Sequence, residues 1–139
     1  MTSRYHALEI LQAGLGEHCP EPLFATVTER LAPWRPGPPV FFRLSTAPPP
    51  LDGGEPSAEL HVCVLLGGAL LDVRAATDGF SESLLPLASI DRVRLIRKED
   101  RTQVEIRHGD CISWLERKED DVAGADLEEF LVQLQRRLV

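Results

Sequence analysis

The sequence predicts an α+β fold in which two helices precede a run of antiparallel strands and one further helix follows it. Apolar residues recur at helical spacing within the first 32 residues. Residues 40–118 instead show period-two alternation, interrupted by short glycine-containing or charged turns. A helical apolar stripe returns after residue 126. This order of patterns is that of an antiparallel sheet flanked by helices.

Composition limits the classes of function. The chain has 139 residues, enough for one domain with its own core, and its formal net charge of −7 disfavours duplex nucleic acid and anionic membranes as partners. Three widely spaced cysteines without a C-x-x-C motif indicate free thiols in a reducing compartment. The chain begins without a signal-peptide pattern, and the apolar run 62–71 is far shorter than the roughly 20 residues that span a bilayer. We therefore expect a cytoplasmic protein.

The first 32 residues are predicted to form a helical hairpin. Leucines at positions 8, 11 and 15 indicate a helix over 3–13, capped by Thr2 or Ser3 and ended by glycines, and Pro22 suits the first turn of a second helix over 21–32. The connector Pro33-Trp34-Arg35-Pro36 has the P-x-x-P spacing of a polyproline ligand. We favour a stiff connector whose Trp34 packs against the sheet.

Seven strands are predicted in the middle of the chain. Gly67-Gly68 joins two apolar runs and indicates a hairpin, whereas Pro86 weakens the fourth strand and Trp114 is assigned to the core. The predicted strands are 40–44, 58–66, 69–76, 81–87, 90–98, 102–108 and 111–118.

The last segment is predicted to be an amphipathic helix. Asp126 and Glu129 have the spacing of a capping box, and Arg136 and Arg137 suit the negative end of the helix dipole. Its apolar stripe consists of Leu127, Phe130, Leu131, Leu134 and Leu138.

Seven strands followed by one helix resemble the pleckstrin-homology-like superfold. The segment Leu87–Val93 is similar to the strand-joining segment of bacterial members. The resemblance implies a bent seven-stranded antiparallel barrel over 40–139, capped by the C-terminal helix and forming one compact unit with an added hairpin over 1–32. It also implies phosphoinositide binding through basic residues near the first hairpin, but the corresponding loop, 45–57, contains Asp52 and Glu55 and neither Lys nor Arg. Phosphoinositide binding is therefore not expected.

The expected function is a non-enzymatic protein-binding or scaffolding module, whose partner is another protein or a second copy of the chain. The catalytic and phosphate-binding motifs G-x-S-x-G, G-x-x-x-x-G-K-[ST] and G-x-G-x-x-G do not occur, so we predict no enzyme activity, cofactor or catalytic residue. One alternative is a small acidic dimeric chaperone similar to secretion chaperones, which requires a helix within 81–89.

A zinc-binding domain is the second alternative. His61 and Cys63 share one strand face, and His108 and Cys111 bracket a turn, so the four side chains provide the donor types of a structural zinc site. Buried Cys and His need no metal, and we therefore assign no metal ligand from sequence.

Charged side chains form two groups. Carboxylates at positions 116 and 119–121 lack the EF-hand pattern and are interpreted as a solvated turn. The basic group is interpreted as a solvated sheet face paired with Glu99 and Glu105, and the absence of interleaved aromatics disfavours nucleic-acid binding. Its members are Arg92, Arg94, Arg97, Lys98, Arg101 and Arg107.

Overall fold

Three α-helices and eight β-strands make up the part of the chain that the computed structural model describes, residues 6–15, 19–37, 39–47, 51–53, 57–118, 122–124 and 127–138. The helices are α1 (His6–Leu15), α2 (Glu21–Leu31) and α3 (Leu127–Leu138). The strands are β1 (Val40–Ala47), β2 (Ser57–Leu65), β3 (Ala69–Ala76), β4 (Gly79–Pro86), β5 (Arg92–Arg97), β6 (Arg101–His108), β7 (Cys111–Lys118) and β8 (Val122–Gly124).

The strands form two antiparallel sheets. The large sheet has the order β4-β3-β2-β1-β8, and the small sheet has the order β5-β6-β7. Among the described residues no strand pairing joins the two sheets, so they are two separate layers. The α+β class, the preceding helices and the C-terminal helix are as predicted from the sequence.

The hairpin predicted at Gly67-Gly68 joins β2 to β3. The Leu66 N–H donates to the carbonyl oxygen of Ala69 at 2.8 Å, and Leu65 lies opposite Leu70. This register determines every cross-strand neighbour along β2 and β3, because a two-residue turn does not allow the strands to shift register.

The strands β1, β2 and β3 of the large sheet are buried on both faces. One face packs against α1 and α2, and the cluster there includes Leu11, Leu15, Leu23, Val27, Leu31, Phe42, Leu44, Leu60, Val62, Val64, Leu71, Val73 and Ala75. The other face meets the small sheet and α3, and the cluster there includes Phe41, Cys63, Leu65, Leu70, Val104, Ile106, Leu115, Leu127, Phe130, Leu131 and Leu134. Adjacent residues such as Phe41 and Phe42 therefore enter different cores, as the alternation of side chains across a strand requires.

The first four residues of the predicted apolar stripe of α3 are buried, and the fifth, Leu138, is partly buried. The end of the helix is also tied to the large sheet, since Nη1 of Arg137 donates to the carbonyl oxygen of Leu66. The predicted cap Asp126 lies outside the described residues, as do Thr2 and Ser3 at the start of the chain.

One tryptophan prediction is wrong, and the connector also differs from its expected geometry. The sequence predicts Trp114 in the core, but it is 40% exposed because β7 turns the adjacent Leu115 inward, and neighbouring residues of a strand face opposite ways. Trp34 is 45% exposed, and its packing against the sheet stays a prediction. It ends a 3-10 turn, Ala32–Trp34, and Arg35 then has a φ of 47°, so the connector lacks polyproline geometry.

The segment 81–89 is a strand followed by a turn. β4 continues to Pro86, and a single 3-10 turn, Leu87–Ser89, follows it. Proline is compatible with this position because β4 is an edge strand. None of the helices in the described ranges is long and apolar enough to cross a lipid bilayer.

Candidate functional site

A group of polar side chains lies on the face of the large sheet that meets the small sheet. Arg43, His61 and Arg74 are successive cross-strand neighbours on β1, β2 and β3. Cys63 and Asp72 form the adjacent row on the same face. Polar groups in such a position cost free energy unless they find partners, so each contact has a physical role.

Three donor atoms converge within this group. Nε2 of His61 is 3.8 Å from Sγ of Cys63 and 2.8 Å from Oδ1 of Asp72. The donor atoms of the three residues all lie within 4.8 Å of one another. His61 and Cys63 are buried, whereas the Asp72 side chain is 19% exposed and opens the group to solvent.

Oδ1 of Asp72 is buried without a hydrogen bond. Nε2 of His61 lies 2.8 Å from that oxygen, but the contact is an ion-pair distance and does not count as a hydrogen bond to it. Nε of Arg74 lies 3.6 Å away and compensates part of the carboxylate charge. A buried carboxylate oxygen without a hydrogen bond needs a physical explanation, and a shared cation is one.

The thiol of Cys63 is neutral in this arrangement. Burial raises its pKa well above the ordinary value, and the nearby Asp72 carboxylate raises it further. Phe41 stacks edge-on against the His61 ring at 5.8 Å between ring centroids and fixes that ring from the side. A neutral thiol under these conditions is a poor nucleophile.

The four residues considered for zinc in the sequence fall in two places. His61 and Cys63 belong to the convergent group with Asp72. His108 and Cys111 face each other across the β6–β7 turn, where Nε2 of His108 is hydrogen-bonded to the Ser113 hydroxyl at 2.8 Å. Among the described residues, the ligand cluster contains the first pair and not the second.

Arginines of the small sheet are largely ion-paired. Nη2 of Arg92 and of Arg94 lie 3.2 and 3.0 Å from the two carboxylate oxygens of Glu105. Burial alone would raise the pKa of Glu105, but the Arg92 hydrogen bond and the Arg94 charge outweigh it and hold the pKa below its usual value. The predicted pairing with Glu105 is confirmed.

Glu116 connects the two sheets. It accepts from Arg43 of the large sheet at 3.2 Å, and from Arg101 and Gln103 of the small sheet at 3.0 and 3.1 Å. It therefore serves as a partly buried ion-pair centre and not as part of the solvated turn predicted from the sequence, whose remaining carboxylates at 119–121 lie outside the described residues.

A basic depression lies at the β5–β6 turn. It has a volume of about 310 Å³ and includes Lys98, Arg101 and Arg117 in its lining. Arg101 is engaged by Asp100 and Glu116, and Arg97 at its rim is ion-paired with Glu128 of α3. These pairs reduce the field that a phosphate would meet there.

The exposed surface of β4 is the second notable feature. Every residue of this strand except Leu85 is exposed, including Phe80 at 52% and Leu84 at 49%. A groove of about 550 Å³ runs beside it, between the start of α2 and the β3–β4 turn, with Pro20, Leu23 and Phe80 in its lining.

Asp72 was not identified from the sequence, although a signal was present. Cys63 and Asp72 each lie four residues from the Gly67-Gly68 turn, so a two-residue hairpin places them opposite each other. The alternation of Leu71 and Val73 then puts Asp72 on the same face as Cys63.

A comparison of the chain with protein-family models, with curated proteins and with solved structures finds no match.

Proposed function

We propose that the protein is a non-enzymatic protein-binding module that receives an extended segment of a partner along the free edge of β4. The single observation that carries this proposal is the exposure of an eight-residue edge strand bearing Phe80 and Leu84. An edge strand offers unpaired backbone N–H and C=O groups, and an added strand satisfies them while alternate side chains enter neighbouring pockets.

Neighbouring elements contact the other sheet edges in the described part of the chain at the positions that follow. The outer edge of β1 is occupied by β8. β5 is held to α3 by the Arg97–Glu128 ion pair, and β7 is contacted from the large sheet, where Nη2 of Arg74 donates to the Trp114 carbonyl oxygen. Within the described residues, β4 pairs with β3 alone.

The composition of β4 also favours binding. Exposed edge strands are commonly protected by lysines, bulges or inward charges. The one ionised side chain of β4 is Glu82, and it is neutralised by Arg30 of α2 at 2.8 Å. The Arg30 guanidinium also lies 5.2 Å above the Phe80 ring, so α2 holds the edge in place.

A pleckstrin-homology-like framework is the fold hypothesis within this proposal. It is supported by a five-stranded antiparallel sheet, of which β8 is a short member, a three-stranded sheet, and a helix that packs into the core between them. A phosphoinositide function does not accompany it, since the 45–57 loop has no Lys or Arg. The secretion-chaperone hypothesis is disfavoured because it needs a helix over 81–89, where β4 and a 3-10 turn lie.

Selection from a phage-displayed peptide library tests the proposal. Bound peptides should show apolar residues at period two, because only alternate side chains of an added strand face the groove. Leu84→Lys should weaken their binding by about tenfold or more, equivalent to about 1.4 kcal/mol, since it places a charge on the receiving edge. Peptide binding should also slow hydrogen exchange of the β4 amides.

Ile112→Lys is the matched control. Ile112 lies on β7, an edge strand of the other sheet, and is similarly exposed, so its substitution introduces the same charge away from the β4 edge. Selected peptides should bind this variant as they bind the unmodified protein. The proposal is contradicted if the unmodified protein enriches no peptide more strongly than Leu84→Lys does. It is also contradicted if both variants lose peptide binding to the same extent.

A further inference from the structure

The convergent group on β2 and β3 has the geometry of a transition-metal site. Its donors are one imidazole nitrogen, one thiol sulfur and one carboxylate oxygen, contributed by His61, Cys63 and Asp72. Two of them come from one strand at a spacing of two residues, and the third lies directly across on the neighbouring strand. We propose that these three side chains bind a single Zn²⁺ ion, with the fourth coordination position open toward solvent.

Two of the donor separations are close to those of a tetrahedral ion. Zinc bond lengths of about 2.0 Å to nitrogen or oxygen and about 2.3 Å to sulfur imply ligand separations of roughly 3.3–3.5 Å. The His61–Cys63 separation is 3.8 Å and needs to shorten by a few tenths of an ångström. The His61–Asp72 separation of 2.8 Å must widen by roughly half an ångström, which rotation of a partly exposed carboxylate provides.

The unsatisfied oxygen of Asp72 gives a second, independent indication. Oδ1 is buried and accepts no hydrogen bond, although a histidine nitrogen lies beside it. A cation placed between the two satisfies both lone pairs at once. Binding converts the Cys63 thiol to a thiolate and releases its proton to solvent, so the two anionic ligands balance the charge of the ion.

The donor set indicates the class of metal. A mixed nitrogen, sulfur and oxygen set suits Zn²⁺ and its spectroscopic substitute Co²⁺, whereas Mg²⁺ and Ca²⁺ require oxygen ligands. Arg74 is a cation in contact with the group, at 3.6 Å from the same carboxylate oxygen. Its side chain is 42% exposed and is free to turn toward the Trp114 carbonyl oxygen, which it already contacts.

Titration of the chelator-treated full chain with Co²⁺ tests the site, because a thiolate-to-cobalt charge-transfer band appears only when sulfur is a ligand. The unmodified protein should show this band at a single equivalent, and Zn²⁺ should abolish it by competition. Cys63→Ser should lose the band. Asp72→Asn, at a partly exposed position, should remain folded and bind Co²⁺ at least about 10- to 100-fold more weakly, the range seen on loss of even an outer-shell group.

Cys111→Ser and His108→Asn are the matched controls, since they remove the same donor types at the β6–β7 turn. Both should retain the band and the affinity. Absence of Co²⁺ binding by the unmodified chain, persistence of the band in Cys63→Ser, or its loss in Cys111→Ser each overturns the three-ligand site. The last result would instead favour a four-ligand site that includes the turn. Should Cys63→Ser fail to fold by circular dichroism, the Asp72→Asn affinity decides.

Discussion

Replacing Gly14 by alanine should destabilise the protein, although alanine is the better helix former. Gly14 lies in the last turn of α1, where the helix meets the large sheet. A Cβ atom there would lie 2.5 Å from Cζ and 3.0 Å from Cε2 of Phe42. Ordinary van der Waals contacts of a Cβ atom are 3.4–4 Å, so the ring or the helix must move by roughly an ångström.

Two opposing terms set the magnitude. Alanine gains up to about 1 kcal/mol over glycine in a helix. Overpacking a filled core costs about 1–3 kcal/mol, and the Phe42 ring has little freedom to yield because it is 1% exposed and surrounded by the core. The overlap should prevail, with a net loss of about 1 kcal/mol in the free energy of unfolding.

Urea unfolding of the Gly14→Ala variant measures this difference directly. Gln12→Ala on the same helix is the control, because Gln12 is exposed and its replacement should change stability by less than about 0.5 kcal/mol. In a Phe42→Leu background the smaller side chain removes the overlap, so Gly14→Ala should become neutral or stabilising. A gain of about 1 kcal/mol for Gly14→Ala in the unmodified protein would refute the packing of α1 on this face.

Two further outcomes are expected. Arg92 and Arg94 hold the pKa of Glu105 in the folded protein below its usual value. These contacts therefore stabilise the fold at pH values above about 4.3, the pKa of a glutamate in the unfolded chain. The stabilisation is lost as the pH falls through the lower pKa of the folded state. Acid unfolding of Glu105→Gln should therefore depend less on pH below about 5, and an unchanged profile would exclude this pair of contacts. A maleimide should label the exposed Cys111 in the native protein but Cys63 only in denaturant, and rapid native labelling of Cys63 would contradict its burial.

The strand pattern could be predicted from the sequence, but the choice of buried face could not. Period two correctly separates Trp114 from Leu115, yet it carries no information about which of them faces inward. In β7 Leu115 is buried and the larger Trp114 is not, because the face of the small sheet that carries Leu115 packs against the core shared with α3. Size and hydrophobicity alone favoured the tryptophan.

The missed features share a physical cause. β8 has three residues, Val122–Gly124, and is too short to show any period. It forms because the outer edge of β1 is available to it, which is a property of the assembled sheet. The link between Arg43 and Glu116 likewise joins residues far apart in sequence, and only the stacking of two sheets brings them together.

The N-terminal helices cover one of the two buried faces of strands β1, β2 and β3. A shortened chain beginning at residue 39 would present Phe42, Leu60, Val62 and Val73 to water as one continuous apolar surface. Such a surface promotes self-association, so the helical hairpin is a condition for the solubility of the sheet and not a removable appendage. Changes in length or sequence before residue 39 are accordingly constrained by the sheet that they cover.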